Sequence, residues 1–304
     1  MKFGKLPDVS NVDFTLPLDP PETKAILHQN FRQYDKLHIY IGGTGWSMKE
    51  WVGTVYPAGT KSKDYLKYYT QQFNTIELNT THYRIPTIET VEKWYAESTA
   101  DFKFCPKIPQ NISHSANLGI GSGQIELFCE SIQHLKEKMG CCFIQLPPYF
   151  GEDRIKILEK FLQNFPKNIP LAVEVRHESW FANNENSERL FQLLENHNIS
   201  TVITDVAGRR DVLHMRLTTN IAMIRFVGNE LHPSDYTRLD DWAKRLKHWE
   251  EQGLSEVYFF THEPENIQAP KIAQYFCEEL SNFEHIVTRG PKLPDDQAQQ
   301  MSLF

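Results

Sequence analysis

The segment LAVEVRHESW, residues 171–180, ends an apolar run with side chains that can hold charge. They are Glu174, Arg176 and His177. Parallel α/β proteins bind ligands at the carboxyl ends of their strands, so a strand that ends in such residues points to a site. A buried salt-bridge network at the top of the strand is the alternative interpretation.

Alternation of side chains along a strand extends this pattern to other parts of the chain. Successive residues point to opposite faces, so outward Val173 and Val175 place Glu174 and Arg176 inward. Polar residues at so many inward positions favour a functional pocket, because apolar residues would fill a barrel interior with a smaller desolvation cost. The inward candidates are Glu77, Asn79, Lys107, Gln145, Glu174, Arg176, Asp205, Arg225 and His262.

Three of these candidates are cations, which favours an anionic substrate bearing phosphate or carboxylate. Arg176 and Arg225 offer planar forks to such groups, and Lys107 adds a point charge. A neighbouring carboxylate would serve as general base, or a pair would divide the acid and base roles. Glu174 and Arg176 could also simply neutralise each other. The catalytic candidates are Glu174, Glu77 and Asp205.

Other kinds of chemistry have less support. The carboxylates and His262 are ligand types that suit a divalent metal, but three nearby cations oppose one and no HExxH motif is present. No Ser or Cys lies in a GxSxG elbow, so nucleophilic catalysis has no specific support. We therefore predict no cofactor, with a divalent metal as the remaining alternative.

Loops after the early predicted strands add residues around the pocket. Tyr83 and His114 lie in polar contexts, and we expect them to join Trp46, Trp51 and His82 in an aromatic rim that contacts substrate. The alternative for either tryptophan is to cover the top of the barrel.

Short apolar runs that alternate with amphipathic stretches predict the elements that position these residues. Eight βα units over about 250 residues fit a single TIM-like (β/α)8 barrel across residues 38–287. The rival is an open doubly wound sheet, but Gly42-Gly43-Thr44-Gly45 does not continue as GxGxxG. The crossover after Asp205 has poor helical patterning, and we expect mostly loop there. The predicted strands are 39–42, 75–79, 102–107, 141–146, 171–176, 200–205, 222–227 and 257–262.

Composition and the two ends of the chain restrict the function further. The formal charge of -7 leaves no global attraction to nucleic acid or anionic membranes, and no apolar run is long enough to span a bilayer. Five cysteines without a CxxC pair are typical of a reducing cytoplasm, where we expect the protein. Residues 1–37 are predicted to form an ordered N-terminal arm, and residues 288–304 a flexible tail.

Several motifs together resemble the YecE-like family, also called domain of unknown function 72. They include GTGW after the first strand, ELNTTHYRIP, FKFCPKIPQNISH, IQLPP, VEVRHESWF and IRFVG. The resemblance runs from Ile39 to about Leu280 and implies a TIM-like barrel. It implies no established reaction. The family pattern implies an asparagine-containing end to strand eight, where this chain has THEPEN, and this makes His262 the least secure inward residue.

The last five residues, QMSLF, resemble the short peptide with which bacterial DNA polymerases and repair proteins bind the sliding clamp. A glutamine would hydrogen-bond in a small pocket while apolar side chains fill a groove. The alternative is that the tail packs on its own barrel. The partner-binding candidates are Gln300, Met301, Leu303 and Phe304.

Two hypotheses from different classes follow. The first is an enzyme of hydrolase or lyase type that acts on a small anionic substrate or, if the tail binds a clamp, on a nucleic-acid component. The second is a non-catalytic protein whose barrel binds a ligand or partner and whose tail tethers it.

Overall fold

The computed structural model describes residues 4–29 and 36–294, in which nine parallel strands alternate with helices. The strands are β1 (Leu37–Gly42), β2 (Thr75–Leu78), β3 (Lys103–Pro106), β4 (Cys142–Gln145), β5 (Leu171–Glu174), β6 (Ser200–Asp205), β7 (Ile221–Val227), β8 (Glu256–His262) and β9 (Ile286–Arg289). The α-helices are α1 (Pro21–Gln29), α2 (Tyr65–Gln72), α3 (Thr80–Tyr83), α4 (Ile88–Glu97), α5 (Gln110–Ser113), α6 (Gln124–Ile132), α7 (Ile155–Asn164), α8 (Asn184–Asn196), α9 (Pro233–Glu250) and α10 (Ala269–Leu280).

The strands form a TIM-like arrangement whose hydrogen-bonded ladder is interrupted at two seams. One sheet has the order β4-β5-β6-β7-β8-β1-β9, and β2 pairs with β3 separately. Isolated backbone hydrogen bonds cross the seams. Glu77 N–H donates to Gly43 O at 3.0 Å at the first seam, and at the second Ile108 N–H donates to Phe143 O and Gly140 N–H to Phe104 O, both at 2.8 Å. The mixed α/β fold with a parallel sheet is as predicted. A continuous closed ladder is not observed.

Gly42 explains how β1 and β2 approach each other at the first seam. A Cβ atom on Gly42 would lie 2.0 Å from the Thr75 backbone oxygen, so a larger residue would push the two strands apart. Asn74 completes this contact with its side chain, which accepts from Ile41 N–H at 2.6 Å and donates to Ile39 O at 3.1 Å. A side-chain amide thus substitutes for part of the missing ladder.

The two faces of the sheet have different partners. On the inner face a small apolar cluster fills the interior below the carboxyl ends; it includes Cys105, Phe143, Val202, Met223 and Phe260. Outward residues pack against the helices in one large core. The inward and outward parities of β2, β3, β4, β5 and β7 are therefore those that the sequence predicts.

The structure differs from the predicted start of the tail. Strand β9 pairs in parallel with β1 at the edge of the sheet, so the segment from residue 288 begins inside a strand rather than a flexible tail. Helix α1 lies within the predicted arm. Helix α6 ends at Ile132 and is followed by a 3₁₀ segment, Gln133–Lys138.

The crossover between β6 and β7 contains a 3₁₀ segment, Ala207–Val212, and otherwise loop, which confirms the degenerate crossover expected there. The N-terminal arm packs against it: Thr23 Oγ1 donates to Met215 O at 2.8 Å and accepts from Leu217 N–H at 3.0 Å. In the described ranges, no helix combines the length and apolar character that crossing a bilayer requires. All five cysteines are free thiols.

Candidate functional site

Side chains from four strands and their carboxyl-terminal extensions meet above the apolar cluster. β2 and β5 provide Glu77 and Glu174, and β7 provides Arg225. Lys107 directly follows β3, Arg176 lies two residues beyond the end of β5, and both are at most 5% exposed. We call these five residues the ion network. Sequence parity predicted all of them inward.

Arg225 is the centre of the ion network. Its Nε and Nη2 donate to the two oxygens of Glu77, both at 2.9 Å, and its Nη1 donates to Glu174 Oε2 at 2.7 Å. Arg176 Nε donates to the other Glu174 oxygen at 2.8 Å. The predicted pairing of Glu174 with Arg176 is therefore present, but Arg225 shares the same carboxylate.

Predicted polar residues complete the hydrogen bonds of the ion network. Asn79 Nδ2 donates to Glu77 Oε1 at 2.9 Å, and His262 Nε2 contacts Glu77 Oε2 at 2.8 Å. Gln145 Oε1 accepts from Lys107 Nζ at 3.1 Å and from Arg225 Nη1 at 3.3 Å. His262, the least secure candidate in sequence, is thus in direct contact with Glu77.

Both carboxylates of the ion network are ionised at neutral pH. Burial alone would raise the pKa of Glu77, but Arg225 and His262 hold it well below its usual value. Burial likewise opposes ionisation of Glu174, whose pKa is nevertheless lowered by Arg176 and Arg225. The pKa of His262 is lowered, mainly by burial, so this imidazole is neutral at pH 7. Two negative charges therefore face three cations.

Lys107 carries the least compensated of those cations. In the chain segments that the structure describes, no carboxylate oxygen lies within 4.0 Å of its Nζ, and Gln145 provides a neutral acceptor instead. Burial lowers the pKa of Lys107 to about 8, with the positive charge of Arg225 as the second cause. An anion beside the ammonium would raise this pKa again.

Asp205 does not belong to the ion network, which corrects the predicted inward position. Its Oδ2 accepts from Trp242 Nε1 at 2.8 Å, and its Oδ1 lies 2.9 Å from Nη2 of Arg238; both partners belong to α9. Arg210 also pairs with it. Adjacent Thr204 lines the cleft instead, so a shift of one residue in parity explains the error.

A cleft of about 1220 Å³ opens above the ion network. Lys107, Arg176 and Arg225 line its floor, and the loops after β7 and β8 form part of its wall. Each loop has two adjacent non-glycine residues at positive φ, namely Glu230 and Leu231 at 62° and Glu265 and Asn266 at 60°. Such strained backbone is concentrated at functional sites in proteins. Among the described residues no group of three metal-ligating side chains is present.

Comparison with known proteins identifies the family. The profile described as protein of unknown function DUF72 matches residues 40–298. The chain belongs to the DUF72 family. It is similar to the UPF0759 protein YecE of Escherichia coli K12, with 32% identity over 284 residues that cover 88% of this chain and all of YecE. The UPF0759 protein YunF of Bacillus subtilis is 29% identical over 152 residues, which cover 47% of this chain and 52% of YunF.

Two solved DUF72 structures have the same fold. The protein from Thermotoga maritima has a TM-score of 0.62 at 27% identity and covers 80% of this chain and 99% of its own. The protein from Enterococcus faecalis has a TM-score of 0.65 at 22% identity and covers 84% of this chain and 100% of its own. At the lower identity the likeness concerns the fold alone.

The motifs that resemble the DUF72 family contain the ion network. VEVRHESWF includes Glu174 and Arg176, ELNTTHYRIP includes Glu77, and IRFVG includes Arg225.

The glycine of IRFVG, Gly228, has a separate role. A Cβ atom there would lie 1.9 Å from Glu263 Oε1, so only glycine leaves room for that carboxyl group.

Glu263 is a buried carboxyl group that the sequence analysis missed. Glu263 is 5% exposed and lines the cleft. Its Oε2 accepts a hydrogen bond from Glu230 N–H at 2.9 Å, whereas its Oε1 has no hydrogen-bond partner in the described structure. Burial raises the pKa of Glu263 to about 7, and the charge of Asp235 adds to this effect. Its position outside the inward parity of β8 explains why alternation did not select it.

Tyr83 and His114 lie at the edge of the cleft in this DUF72 chain. Tyr83 is 79% exposed and borders the cleft directly. His114 lies in an adjoining depression that also contains Tyr83. Trp51 is buried in the core and Trp46 packs against Trp94, so neither tryptophan joins this edge. The clamp-like residues Gln300, Met301, Leu303 and Phe304 lie outside the described residues.

The N-terminal arm also reaches the cleft. Gly4 and Lys5 line it, and Gly4 O accepts from Gly208 N–H at 2.8 Å. Lys5 Nζ lies 3.6 Å from Glu230 in an exposed ion pair of small energy. The arm is therefore part of the wall that limits access from the β6 side.

Proposed function

We propose that the protein is an enzyme that acts on a small anionic substrate at the carboxyl ends of the strands. The observation that carries the proposal is the charge of the ion network, in which three cations face two carboxylates in a buried layer. Buried charge is costly unless it is compensated, and excess positive charge beside a cleft favours binding of an anion. Phosphate and carboxylate are the groups that Arg and Lys bind best.

Lys107 and Arg176 are the proposed anion ligands. Both line the cleft, and Lys107 has Gln145 rather than a carboxylate as its hydrogen-bond partner in the described structure. Arg225 also borders the cleft, but it donates to both carboxylates and therefore mainly holds them in place. A phosphate or carboxylate of the substrate would supply the missing negative charge.

Glu174 is the carboxylate proposed to act on the substrate. Glu77 already accepts four hydrogen bonds, from Asn79, from two nitrogens of Arg225 and from His262, which fills the acceptor capacity of a carboxylate. Glu174 accepts one bond on each oxygen among the described contacts. It retains acceptor capacity for a substrate proton, whereas Glu77 is a positioning residue.

The decisive experiment compares Lys107→Met with Lys167→Met, which removes an exposed lysine away from the cleft. We expect affinity for inorganic phosphate or acetate, measured by calorimetry, to fall about tenfold or more in the first variant only. Anion affinity should also decrease as the pH rises above about 8, where Lys107 loses its proton. Equal anion affinity in both variants would contradict the proposal.

Turnover separates the enzyme from a non-catalytic binding protein. Purified protein would be incubated with a mixture of phosphorylated and carboxylated metabolites, and the mixture analysed by mass spectrometry. We expect a substrate to be consumed by the wild type and left unchanged by Glu174→Gln, which keeps the shape of the side chain. Anion binding without consumption of any compound would favour the binding protein.

For the C-terminal QMSLF we propose sliding-clamp binding on the strength of its sequence alone. Deletion of Gln300–Phe304 should abolish capture by an immobilised bacterial clamp and leave the melting temperature unchanged. A large decrease in melting temperature would instead indicate that the tail packs on its own barrel.

A further inference from the structure

Four aromatic side chains form a continuous row beside the cleft. The ring centroids of His82 and Tyr83 are 5.4 Å apart, those of His82 and His114 5.6 Å, and those of His114 and Tyr149 6.4 Å. Tyr83 and Tyr149 are 79% and 59% exposed. We call these four residues the ring row. Large aromatic side chains exposed together in this way are typical of binding surfaces.

Hydrogen bonds hold three rings of the ring row, those of His82, His114 and Tyr149, and Tyr83 packs edge-on against His82. His82 Nδ1 contacts Ile108 O at 3.0 Å, and Tyr149 Oη donates to His114 O at 3.1 Å. His114 Nδ1 lies 2.9 Å from Ser113 Oγ. These three rings therefore need little reordering to receive a ligand, which reduces the entropic cost of binding.

The ring row is continuous with the proposed anion site. Tyr83 lines both the cleft above Lys107 and the adjoining depression of about 520 Å³ that contains His82 and His114. Burial lowers the pKa of His114, and the charges of Lys107 and Arg176 lower it further, so these cations are close to the row. Burial lowers the pKa of His82 to about 4. Both imidazoles are neutral at pH 7 and present aromatic surface rather than additional charge.

We infer that the ring row is a subsite for a planar aromatic ring joined to the anionic group of the substrate. The inference rests on the proposed function and names its substrate class: an aromatic phosphate or carboxylate whose anion contacts Lys107 and Arg176. The exposed ring of Tyr83 borders both regions and stacks on the ligand ring. Stacking on a fixed aromatic side chain discriminates a flat ring from a saturated ring of similar size.

Matched ligand pairs test this substrate class on the full chain. Phenyl phosphate is compared with cyclohexyl phosphate, and benzoate with cyclohexanecarboxylate, so that each pair has one anion and differs in the planarity of the ring. We expect the aromatic member of at least one pair to bind about fivefold to tenfold more tightly by calorimetry. Equal affinity within both pairs would overturn the inference.

Two variants at one position assign the effect to the ring row. Tyr83→Phe keeps the ring and should keep the preference for the aromatic ligand, whereas Tyr83→Leu should abolish it and leave inorganic phosphate affinity unchanged. Equal preference in both variants would overturn the role of Tyr83. If none of the anions binds and Lys107→Met changes nothing, the proposed function itself is wrong, and the inference fails with it. Phosphate binding without ring preference refutes the subsite alone.

Discussion

Two clusters of buried charge lie on opposite sides of the strands, one toward the interior and one toward the helices. On the inner face, Glu77 and Glu174 meet three cations beside a cleft. On the outer face, Asp205 and Asp235 meet Arg238 and Arg210, and Trp242 supplies a further donor. We call this second group the outer cluster. Its formal charges balance, two against two, whereas the ion network has one cation in excess.

The difference shows how a buried salt bridge can be assigned to structure or to function. The outer cluster holds α9 on the sheet: Arg238 bonds to the carboxylate of Asp205 and also donates to its backbone oxygen at 2.9 Å. Its charges are satisfied within the protein. The ion network borders a cleft, and within residues 4–29 and 36–294 its cations outnumber its carboxylates by one. Burial alone does not separate the two groups, but charge balance and access to the cleft do.

The largest expected effect is the loss of the centre of the ion network. Arg225→Met leaves Glu77 and Glu174 buried without their shared cation, so we expect the free energy of unfolding in urea to fall by about 3–5 kcal/mol. Phosphate affinity should also be lost. Glu174 keeps its ion pair with Arg176, whereas Glu77 loses its arginine, so adding Glu77→Gln removes the stranded charge and should recover part of the stability. A double variant no more stable than the single one would contradict this account.

Asp205→Asn tests the outer cluster by the same measurement. The amide keeps the shape of the side chain but leaves Arg210 and Arg238 with one carboxylate fewer, and we expect a loss of about 2–4 kcal/mol. Phosphate affinity should equal that of the wild type under conditions in which the variant is folded. A folded variant that has lost phosphate binding would mean that the two faces are functionally coupled.

The smallest expected effect concerns Glu263, which lies near both Asp235 of the outer cluster and the cleft. Its pKa of about 7 exceeds the unfolded value of 4.5, so the folded state binds more protons between these limits. Wild-type stability should therefore decrease as the pH rises from about 4.5 to about 7. Glu263→Gln should remove this slope and be more stable than the wild type above pH 7, by about 1–3 kcal/mol.

Urea denaturation at pH 5, 6, 7 and 8 measures this difference, and Glu265→Gln is the control because Glu265 is an exposed neighbour on the same loop. Equal pH slopes for the wild type and Glu263→Gln would show that Glu263 does not titrate in this range. If Glu265→Gln changed the pH dependence of the free energy of unfolding by the same amount, the effect would be due to the loss of a negative charge in general rather than to Glu263.

Sequence reasoning located the ion network because strand alternation is a local rule. Glu174 and Arg176 are two residues apart, and parity places them on one face whatever the rest of the fold does. Asp205 was misassigned because the inward parity of β6 depends on its register with β7, which aligns Asp205 with outward Phe226. Nothing local in the sequence indicates that register.

Contacts between segments that are distant in sequence could not be predicted, because they too depend on tertiary packing rather than on local residue patterns. Glu263 has its raised pKa because Asp235 lies near it and because Gly228 leaves it space, and these depend on how two loops pack. Strand β9 was not predicted because it forms by pairing with β1, which lies far from it in the sequence. The aromatic rim was predicted in part. His82, Tyr83 and His114 do contact one another beside the cleft. Trp51, however, is buried in the core, and Tyr149, which was not predicted, contacts His114.

The packing of the N-terminal arm on the β6–β7 crossover means that the folding unit is longer than the family match. Asp19 binds Arg245 at 2.6 Å and Trp249 Nε1 at 3.0 Å, while Thr23 caps two backbone groups of the crossover. A protein trimmed to the matched residues 40–298 would lose all of these contacts. The trimmed protein would expose the apolar side of a crossover that has no α-helix of its own, and its poor solubility would be easily mistaken for a property of the whole family.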